Sequence, residues 1–483
     1  MARIYGIDLG TTYSCVCYID KMGMPQVVGD IQSAELLTPS VVMLEENDFD
    51  EELVVVGTHA KEYTKLDPER VISAVKRHMH DIDWKRDIDG REYMPADISA
   101  KILKHLADSA SEKLGESVID VVITVPAYFG PMERERTRQA GIDAGLNVRD
   151  IIPEPTAAAL HYGLIEETGK TILVFDLGGG TFDVTVMKIE EDFHKRELAV
   201  RGDHDLGGVL WDRAIAESWA EQLAESTGVP VSEVLADKTV MASLALEAEK
   251  GKQRLGSMAQ SRHVVSIDGV SHPLSIDRLT MDTLTLGLLE RTISLVDEAI
   301  EIAQRGEKWT GIDKVILVGG STLMKQVRER LEKRFGPDVE LMINDPHFAV
   351  AYGAALYASQ IDTKDELRDF VTLNAEKFGL NPSKIVDDDG EFNPSDLPEE
   401  VLEDFAEENQ TTVTDLKAAF AGFTSVCPKS FGIVHVMDGA SGQFVTNLIR
   451  TQQEMPAQGS KQFATIQAGL RAAVISCVDN DRD

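Results

Sequence analysis

The chain opens with a short apolar run that ends in an acidic residue and a tight polar turn. In IYGIDLGTTYSCVCYID, residues 4–20, apolar positions lead to Asp8, a Gly-Thr-Thr turn follows, and alternation of apolar and polar positions resumes through Ile19. Alternation with a period of two is typical of a half-buried strand, and glycine with small polar residues is typical of a hairpin turn. The pattern predicts two strands joined by a turn that carries a carboxylate and two hydroxyls.

The same plan occurs a second time in ILVFDLGGGTFDVTVMKI, residues 172–189. One glycine-rich hairpin alone is most simply an ordinary turn, but two copies in equivalent settings predict a duplicated fold with facing hairpins. Glycines allow close backbone approach, turn N–H groups and Thr hydroxyls can bind phosphate oxygens, and a strand-end Asp can hold hydrated Mg²⁺. The repeat therefore favours a phosphate clamp.

Two further glycine turns follow strand-like stretches. KVILVGGSTLMKQVRERLEKRF, residues 314–335, indicates a buried strand, a turn and an amphipathic helix, and DLGG at 205–208 precedes a helix expected from Trp211. A helix N-terminus behind a glycine turn suits a phosphate or a sugar. Four glycine turns on strand ends predict a nucleotide cleft between two α/β lobes.

The net charge of the chain limits the classes of partner that it can bind. The chain has 48 basic and 82 acidic side chains, a net charge of −34, so we expect neither nucleic acid nor a membrane as a main partner. The sequence has no long apolar run and no signal-peptide pattern, which favours a cytoplasmic location. Four cysteines do not form a disulfide framework, and Cys15 and Cys17 are interpreted as buried structural thiols rather than metal ligands.

Seven motifs extend from residue 4 to about residue 358 in a fixed order: IDLGTTYS, TPSVV, VVITVPAYF, IIPEPTAAALHYG, VFDLGGGTFDVTV, ILVGGST and AVAYGAAL. In these motifs the chain resembles the DnaK-type 70-kDa heat-shock chaperones. The resemblance implies an α/β fold with an actin-like two-lobed ATPase domain of duplicated βββαβα subdomains at 1–360. After this domain we expect a partly helical acidic insert or linker at 361–424, which departs from the family. Residues 425–483 then resemble part of the family's antiparallel substrate-binding β-sandwich.

The resemblance also implies catalytic roles for individual residues. Asp8 and Asp176 would hold Mg²⁺, mostly through water, and Asp183 would hold a monovalent cation such as K⁺ or assist in positioning. Lys76, in ISAVKRHMHD, would reach the γ-phosphate, and Glu154, in PEPTAAA, would orient the attacking water. Taken alone, the lysine is most simply a surface residue and the glutamate a helix-start acid.

Further residues would contact ATP or ADP or transmit its state. Thr181 is expected in the catalytic group, and Pro126 and Arg134 would report the nucleotide state to the substrate domain, although a strand-ending proline and a helix-surface arginine are the simpler interpretation. The residues expected to bind the nucleotide are Gly10, Thr11, Thr12, Tyr13, Gly178, Gly179, Gly180, Gly207, Gly208, Glu249, Lys252, Gly319, Gly320 and Ser321.

The chain departs from the family at the base-binding positions. The family commonly holds adenine between two basic side chains, and Gln253 and Leu323 stand at those positions here. Each lost cation over an aromatic ring could forfeit roughly 0.5–2 kcal/mol, so weak adenine affinity is expected. The family's two acids in DPDEAVA are replaced by His347 and Phe348, and Pro153 replaces the asparagine before Glu154.

Residues after 360 depart further. Between residues 362 and 425 there are 17 acidic and 5 basic side chains, with apolar residues at helical spacing. They predict two short amphipathic helices, the first capped by Ser395 or Asp396, in a docking module or a structured linker. Residues 425–483 resemble the start of the substrate-binding sandwich and stop after three or four strands, so we expect either a shortened chain or a sandwich completed by another chain.

Three functions follow from these patterns. The first is an ATP-hydrolysing chaperone, with roles in protein folding and the stress response, that binds unfolded or extended polypeptides together with a J-domain cochaperone and a nucleotide-exchange factor. The second is a nucleotide-gated scaffold that has lost general peptide binding. The third, ranked last, is a small-molecule kinase on the same fold.

Overall fold

The computed structural model describes residues 3–46, 52–163, 167–267, 269–306, 308–381, 392–435, 444–455, 457–458 and 477–480. None of the helices in these ranges combines the length and the apolar composition that a membrane crossing requires. The strands, in chain order, are β1 (Tyr5–Asp8), β2 (Tyr13–Ile19), β3 (Pro25–Val28), β4 (Thr38–Pro39), β5 (Val41–Glu46), β6 (Glu52–Val56), β7 (Val71–Ser73), β8 (Arg86–Ile88), β9 (Arg91–Tyr93), β10 (Asp120–Val125), β11 (Asn147–Pro153), β12 (Thr171–Leu177), β13 (Phe182–Ile189), β14 (Lys195–Asp203), β15 (Gln260–Ile267), β16 (Val270–Asp277), β17 (Lys314–Val318), β18 (Glu340–Ile343), β19 (Phe423–Thr424), β20 (Ser430–His435), β21 (Phe444–Ile449) and β22 (Cys477–Asn480).

The α-helices alternate with these strands through most of the chain. They are α1 (Thr58–Tyr63), α2 (Pro95–Leu114), α3 (Pro131–Asp143), α4 (Glu154–His161), α5 (Gly208–Thr227), α6 (Val231–Ala236), α7 (Lys238–Leu255), α8 (Arg278–Ala303), α9 (Lys325–Phe335), α10 (Ala349–Leu373), α11 (Glu399–Glu408) and α12 (Val413–Phe420).

Two central sheets share one strand order. The first lobe has β11-β10-β1-β2-β3, and the second lobe has β18-β17-β12-β13-β14, with β19 added beyond β14. In each sheet the leading hairpin is antiparallel, and its first strand pairs in parallel with a later strand. Two copies of one βββαβα unit therefore build the lobes, which confirms the predicted duplicated, actin-like α/β class.

Helices α4 and α10 join the two lobes. Their alanines are buried together with Val122 of the first sheet and Val174 of the second in one apolar cluster. The approach is so close that a Cβ at Gly353 would lie 1.7 Å from the Ala157 carbonyl oxygen. A larger residue at this crossing would push the helices apart, so glycine sets the distance between the lobes.

The acidic insert contains a compact helical module, made of the end of α10 together with α11 and α12. Phe405 and Leu416 of the short helices are buried with Leu367 of α10. Helix α10 is continuous through residue 373, so it runs across the predicted domain boundary at 360/361. The predicted cap was wrong: Asn393 caps a 3₁₀ turn at 394–396, and α11 begins after Pro398.

The segment after the module lies against the second lobe. β19 pairs in parallel with β14, and beyond it a three-stranded antiparallel sheet has the order β21-β20-β22. Val426 is buried beside Ala127 and Val200, and its N–H donates to Glu197 at 3.0 Å. The predicted boundary at 424/425 therefore falls between β19, a strand of the second central sheet, and the buried residues Ser425 and Val426.

Candidate nucleotide-binding site

A cleft of about 690 Å³ opens between the lobes. Its walls come from the hairpin turns of both central sheets, from α7 and from the turn after β17. The predicted site residues that line it are Asp8, Gly10, Thr11, Thr12, Tyr13, Lys76, Glu154, Asp176, Gly178, Gly179, Thr181, Glu249, Lys252, Gly319, Gly320 and Ser321. The tertiary structure thus brings together residues from six separate stretches of the chain.

The two repeated hairpin turns touch each other across the cleft. A Cβ at Gly179 would lie 2.0 Å from the Thr12 hydroxyl oxygen, and one at Gly180 would lie 2.1 Å from the Thr11 methyl carbon. Only glycine in the second turn allows this approach, since real Cβ contacts do not come so close. The buried Thr12 hydroxyl has no hydrogen-bond partner among the described residues, which leaves it available to a phosphate oxygen.

Two serines hold the first turn in place. The Gly10 N–H donates to the Ser14 hydroxyl at 3.0 Å, and the Ser40 hydroxyl donates to the Gly10 carbonyl at 2.7 Å. The two hydroxyls are 2.8 Å apart. Both serines lie in sequence motifs, but their role was not predictable, because the contact joins β2 to the segment after β4.

Three predicted contact residues do not line the cleft: Gly180 is part of the second turn, and Gly207 and Gly208 lie behind that turn. The N–H of Gly208 donates to the Gly178 carbonyl at 3.0 Å, and a Cβ at Gly207 would lie 2.4 Å from the Gly180 carbonyl carbon. Arg77, which sequence reasoning missed, donates to the Gly180 carbonyl at 2.8 Å. Direct contact of Gly180, Gly207 and Gly208 with a nucleotide stays a prediction; Gly207 and Gly208 support the second hairpin turn.

A buried ion pair lies between the hairpins. Lys76 donates to Glu154 at 2.6 Å and to the Leu9 carbonyl at 2.5 Å, and its side chain is 4% exposed. Glu154 is the first residue of α4, where its carboxylate complements the positive end of the helix dipole, and Pro155 sits in the first turn, where no N–H is needed. Both charged groups therefore meet at one point beside the first hairpin.

Three carboxyl groups, those of Asp8, Asp176 and Asp183, lie close enough to this pair for their charges to interact; Asp176 and Asp183 are buried and Asp8 is half-buried. Burial and the nearby Glu154 raise the pKa of Asp8 to about 7, while Lys76 and a hydrogen bond from Thr124 oppose the rise. Burial, followed by the charges of Glu154 and Asp8, raises the pKa of Asp176 well above its usual range. One lysine does not balance so many acids, and a bound cation would lower these pKa values.

Asp183 lies deeper than the other carboxylates and does not line the cleft. It is 2% exposed, one of its oxygens has no hydrogen-bond partner in the described structure, and burial raises its pKa. β13 places it directly opposite Asp176. The ring of Tyr128 packs beside Asp183, next to Gly202. A Cβ at Gly202 would lie 2.4 Å from that ring and 2.9 Å from the Asp183 carboxylate.

A second polar network forms the wall between α7 and the first lobe. Tyr13 donates to Glu249 at 2.7 Å, and Lys61 bonds the same carboxylate at 2.5 Å. Burial alone would raise the pKa of Glu249, but the charge and hydrogen bond of Lys61, the hydrogen bond from Tyr13 and the charge of Lys252 together outweigh it, and the pKa lies below its ordinary value. Lys252 pairs with Asp212 at 2.8 Å. Sequence reasoning missed Lys61 and Asp212, since neither lies in a recognisable motif.

The wall beyond Ser321 carries neutral side chains. Gln253, Leu323 and His347 line it, at the positions where the sequence departs from the family. A Cβ at Gly320 would lie 2.4 Å from the His347 ring, so the imidazole packs directly on the turn after β17.

Pro126 and Arg134 lie away from the cleft, on the side that faces the C-terminal segment. Pro126 is buried and accepts the Phe129 N–H at 3.1 Å, and Arg134 donates to the Phe129 carbonyl at 3.0 Å. Arg134 is close enough to Glu197 for their charges to interact, and Glu197 in turn holds Val426. The predicted role of both residues in communication between domains stays a prediction.

Two side chains fasten the C-terminal segment to this face. Gln452 accepts the Val200 N–H at 3.0 Å and donates to its carbonyl at 3.1 Å, as a neighbouring strand would. Lys429 pairs with the buried Glu133 of α3 at 3.2 Å. Sequence reasoning found neither contact, because each joins residues more than 200 positions apart.

The duplicated sheets and the glycine-lined cleft between them define an actin-like nucleotide-binding fold. A family model described as Hsp70 protein matches residues 4–88 and 80–420, which is most of the 483-residue chain. The chain therefore belongs to the Hsp70 family, a family of ATPases and chaperones that bind nucleotide with Mg²⁺. The match includes the helical module and ends before the predicted sandwich.

Proposed function

We propose that this protein hydrolyses ATP to ADP and phosphate and uses the reaction to control binding of unfolded polypeptide segments. The observation that carries the proposal is the meeting of both hairpin turns beside the Lys76–Glu154 pair. In the proposed reaction the phosphates lie between the turns, Lys76 bonds the γ-phosphate, and Glu154 orients a water molecule for in-line attack. Positioning and electrostatics supply most of the catalysis in such reactions.

The residues fit the proposed metal cofactor. No three His, Cys, Asp or Glu side chains are grouped as a metal site in the described ranges. Mg²⁺ commonly uses one or two carboxylates with water and phosphate oxygens, a ligand set that Asp8 and Asp176 match. When bound it would neutralise phosphate charge. The unpartnered oxygen of Asp183 is the proposed contact for K⁺.

The proposed link to polypeptide binding runs through the C-terminal segment. Tyr128 packs beside Asp183, which lies behind the cleft wall, and also against the cluster that contains Val200 and Val426. A shift of the hairpin around Asp183 would therefore change the surface on which Val426 lies. A J-domain cochaperone, a nucleotide-exchange factor and a cytoplasmic location belong to the proposal through the family.

Two measurements test the proposal. The full chain is incubated with ATP, Mg²⁺ and K⁺, and free phosphate is quantified; a labelled apolar heptapeptide is then titrated in ADP and in ATP by fluorescence anisotropy. Phosphate release together with tighter peptide binding in ADP than in ATP is expected. Absence of hydrolysis would refute the ATPase, and appearance of a phosphorylated small molecule would establish the kinase alternative.

The scaffold alternative has one observation in its favour. The acidic insert has its own apolar core around Phe405, which a flexible connection would not need. A chain that hydrolyses ATP but binds no heptapeptide in either nucleotide state would support a scaffold that holds a dedicated partner.

A further inference from the structure

One wall of the cleft runs from the second hairpin, along the turn after β17, to His347. The Ser321 hydroxyl donates to the Gly178 carbonyl at 3.0 Å, which ties the turn after β17 to the second hairpin. Gly320 precedes Ser321 and packs against the ring of His347. The cleft wall is therefore continuous from the second hairpin, through the turn after β17, to the His347 ring.

No unpaired cation faces the His347 end of this wall in the described part of the cleft. The lysine and arginine side chains that line the described cleft are Lys76, which lies beside the first hairpin, and Lys252. Lys76 pairs with Glu154 at 2.6 Å, and Lys252 pairs with Asp212 at 2.8 Å and also donates to the Gly208 carbonyl. Both ammonium groups are buried and engaged, so a base bound at that end must be recognised by other side chains.

His347 is held in position by backbone constraints. Asp345 has a left-handed backbone with a φ of 44°, which turns the chain sharply before α10. The Gly319 N–H donates to the Pro346 carbonyl at 3.0 Å, so the loop is fixed to the turn after β17. The imidazole itself is exposed towards the cleft, and it can contact a ligand without rearrangement of the loop.

We propose that His347 contacts the base of a bound purine nucleotide and supplies recognition at a position where no cation is present. The inference rests on the proposed function, since it takes the phosphates to lie at the hairpins and the base at the far end of this wall. A neutral imidazole offers a π-face for stacking together with one N–H donor and one acceptor nitrogen. Gln253, which also lines the cleft, adds an amide that can both donate and accept.

The test compares ATP with inorganic tripolyphosphate, which has the phosphates but no base. Isothermal titration of the full chain in Mg²⁺ measures both affinities for the wild type and for His347→Ala, with His272→Ala on β16 as the matched control. His347→Ala is expected to weaken ATP binding about three- to tenfold and to leave tripolyphosphate binding unchanged. His272→Ala should change neither affinity.

Two results would overturn the inference. If His347→Ala binds ATP as tightly as the wild type, the ring does not contact the base. If it weakens ATP and tripolyphosphate equally, the substitution acts on the phosphate turns instead. A wild-type chain that binds tripolyphosphate and ATP with equal affinity would also exclude base recognition, whereas a wild type that binds neither would refute the proposed function as well.

Discussion

Lys76 and Glu154 form a buried ion pair with a nitrogen–oxygen distance of 2.6 Å, although 78 residues separate them in the chain. The pair places a cation and a carboxylate together between the two hairpin turns. Removal of the cation leaves Glu154 beside Asp8 and Asp176, whose burial already disfavours further negative charge.

Lys76→Met keeps the length of the side chain and removes the charge. We expect the single-turnover rate of ATP hydrolysis to fall by about 100-fold or more, because a positioned donor to the transferred phosphate is lost. Lys85→Met, which removes a lysine paired with Glu92 on the surface, is the control and should hydrolyse ATP at the wild-type rate. A Lys76→Met rate within a factor of about three of the wild type would contradict the assigned role.

Gly179→Ala tests the contact between the two hairpins. The added methyl would meet Thr12 at 2.0 Å, so the turns must separate at a cost of about 1–3 kcal/mol. We expect a lower melting temperature and a nucleotide affinity reduced about tenfold. A Cβ at Gly287, in α8, meets nothing within 4 Å. Gly287→Ala should instead raise the melting temperature, because alanine is preferred over glycine in a helix by up to about 1 kcal/mol. Equal behaviour of the two variants would show that the hairpins are not in contact.

Phe405→Ala tests whether the insert is an independent folded module. Phe405 is 2% exposed and its ring lies 5.4 Å from that of Phe370. Loss of such a ring costs about 3–5 kcal/mol, which a module of this size does not tolerate. Hydrogen exchange should accelerate throughout α11 and α12 and stay unchanged in β12. Glu403→Ala, on the exposed face of α11, is the matched control; an unaltered exchange pattern in Phe405→Ala would mean that the module is not held by its core.

The burial of Glu197 predicts that docking of the C-terminal segment depends on pH. Burial raises its pKa from 4.5 to about 7, with the Val426 N–H and Arg134 acting in the opposite direction. Ser425 and Val426 are buried against Glu197, so release of the segment exposes this carboxyl group and returns its pKa towards 4.5. Docking is therefore strongest below pH 4.5 and weakens as the pH rises to about 7. The decline is at most about 1.4 kcal/mol per pH unit.

Glu197→Gln removes this titration and is the test. Spin labels on exposed positions of α5 and β21 measure the docked fraction between pH 5 and pH 7.5 in steps of about half a unit. The advantage of Glu197→Gln over the wild type should grow as the pH rises. His194 acts in the opposite direction below its ordinary pKa of 6.5, because burial lowers its pKa, but it is present in both proteins and cancels in the comparison. A difference that does not change with pH would exclude Glu197 as the titrating group.

The paired hairpins were predictable because their signal is local. Asp8 and Asp176 end buried strands, and the turn glycines follow at once, so a short window of sequence reports both the strand and the turn. The duplicated fold follows from the repeat itself. The helices of the insert were likewise evident from apolar spacing, but the start of α11 was not, because Pro398 and the 3₁₀ turn before it compete with the polar residues expected to cap it.

The sequence alone determined the class of fold, the two glycine-rich hairpin turns and the acids near the strand ends, since each depends on neighbours in the chain. Only the tertiary structure decided that Ser40 supports the first turn, that Lys61 pairs with Glu249, and that Gln452 fastens a distant segment to β14. A surface lysine or glutamine has the same local pattern whether it faces water or a partner far along the chain. Its role is fixed by which backbone the packed core brings within hydrogen-bonding distance.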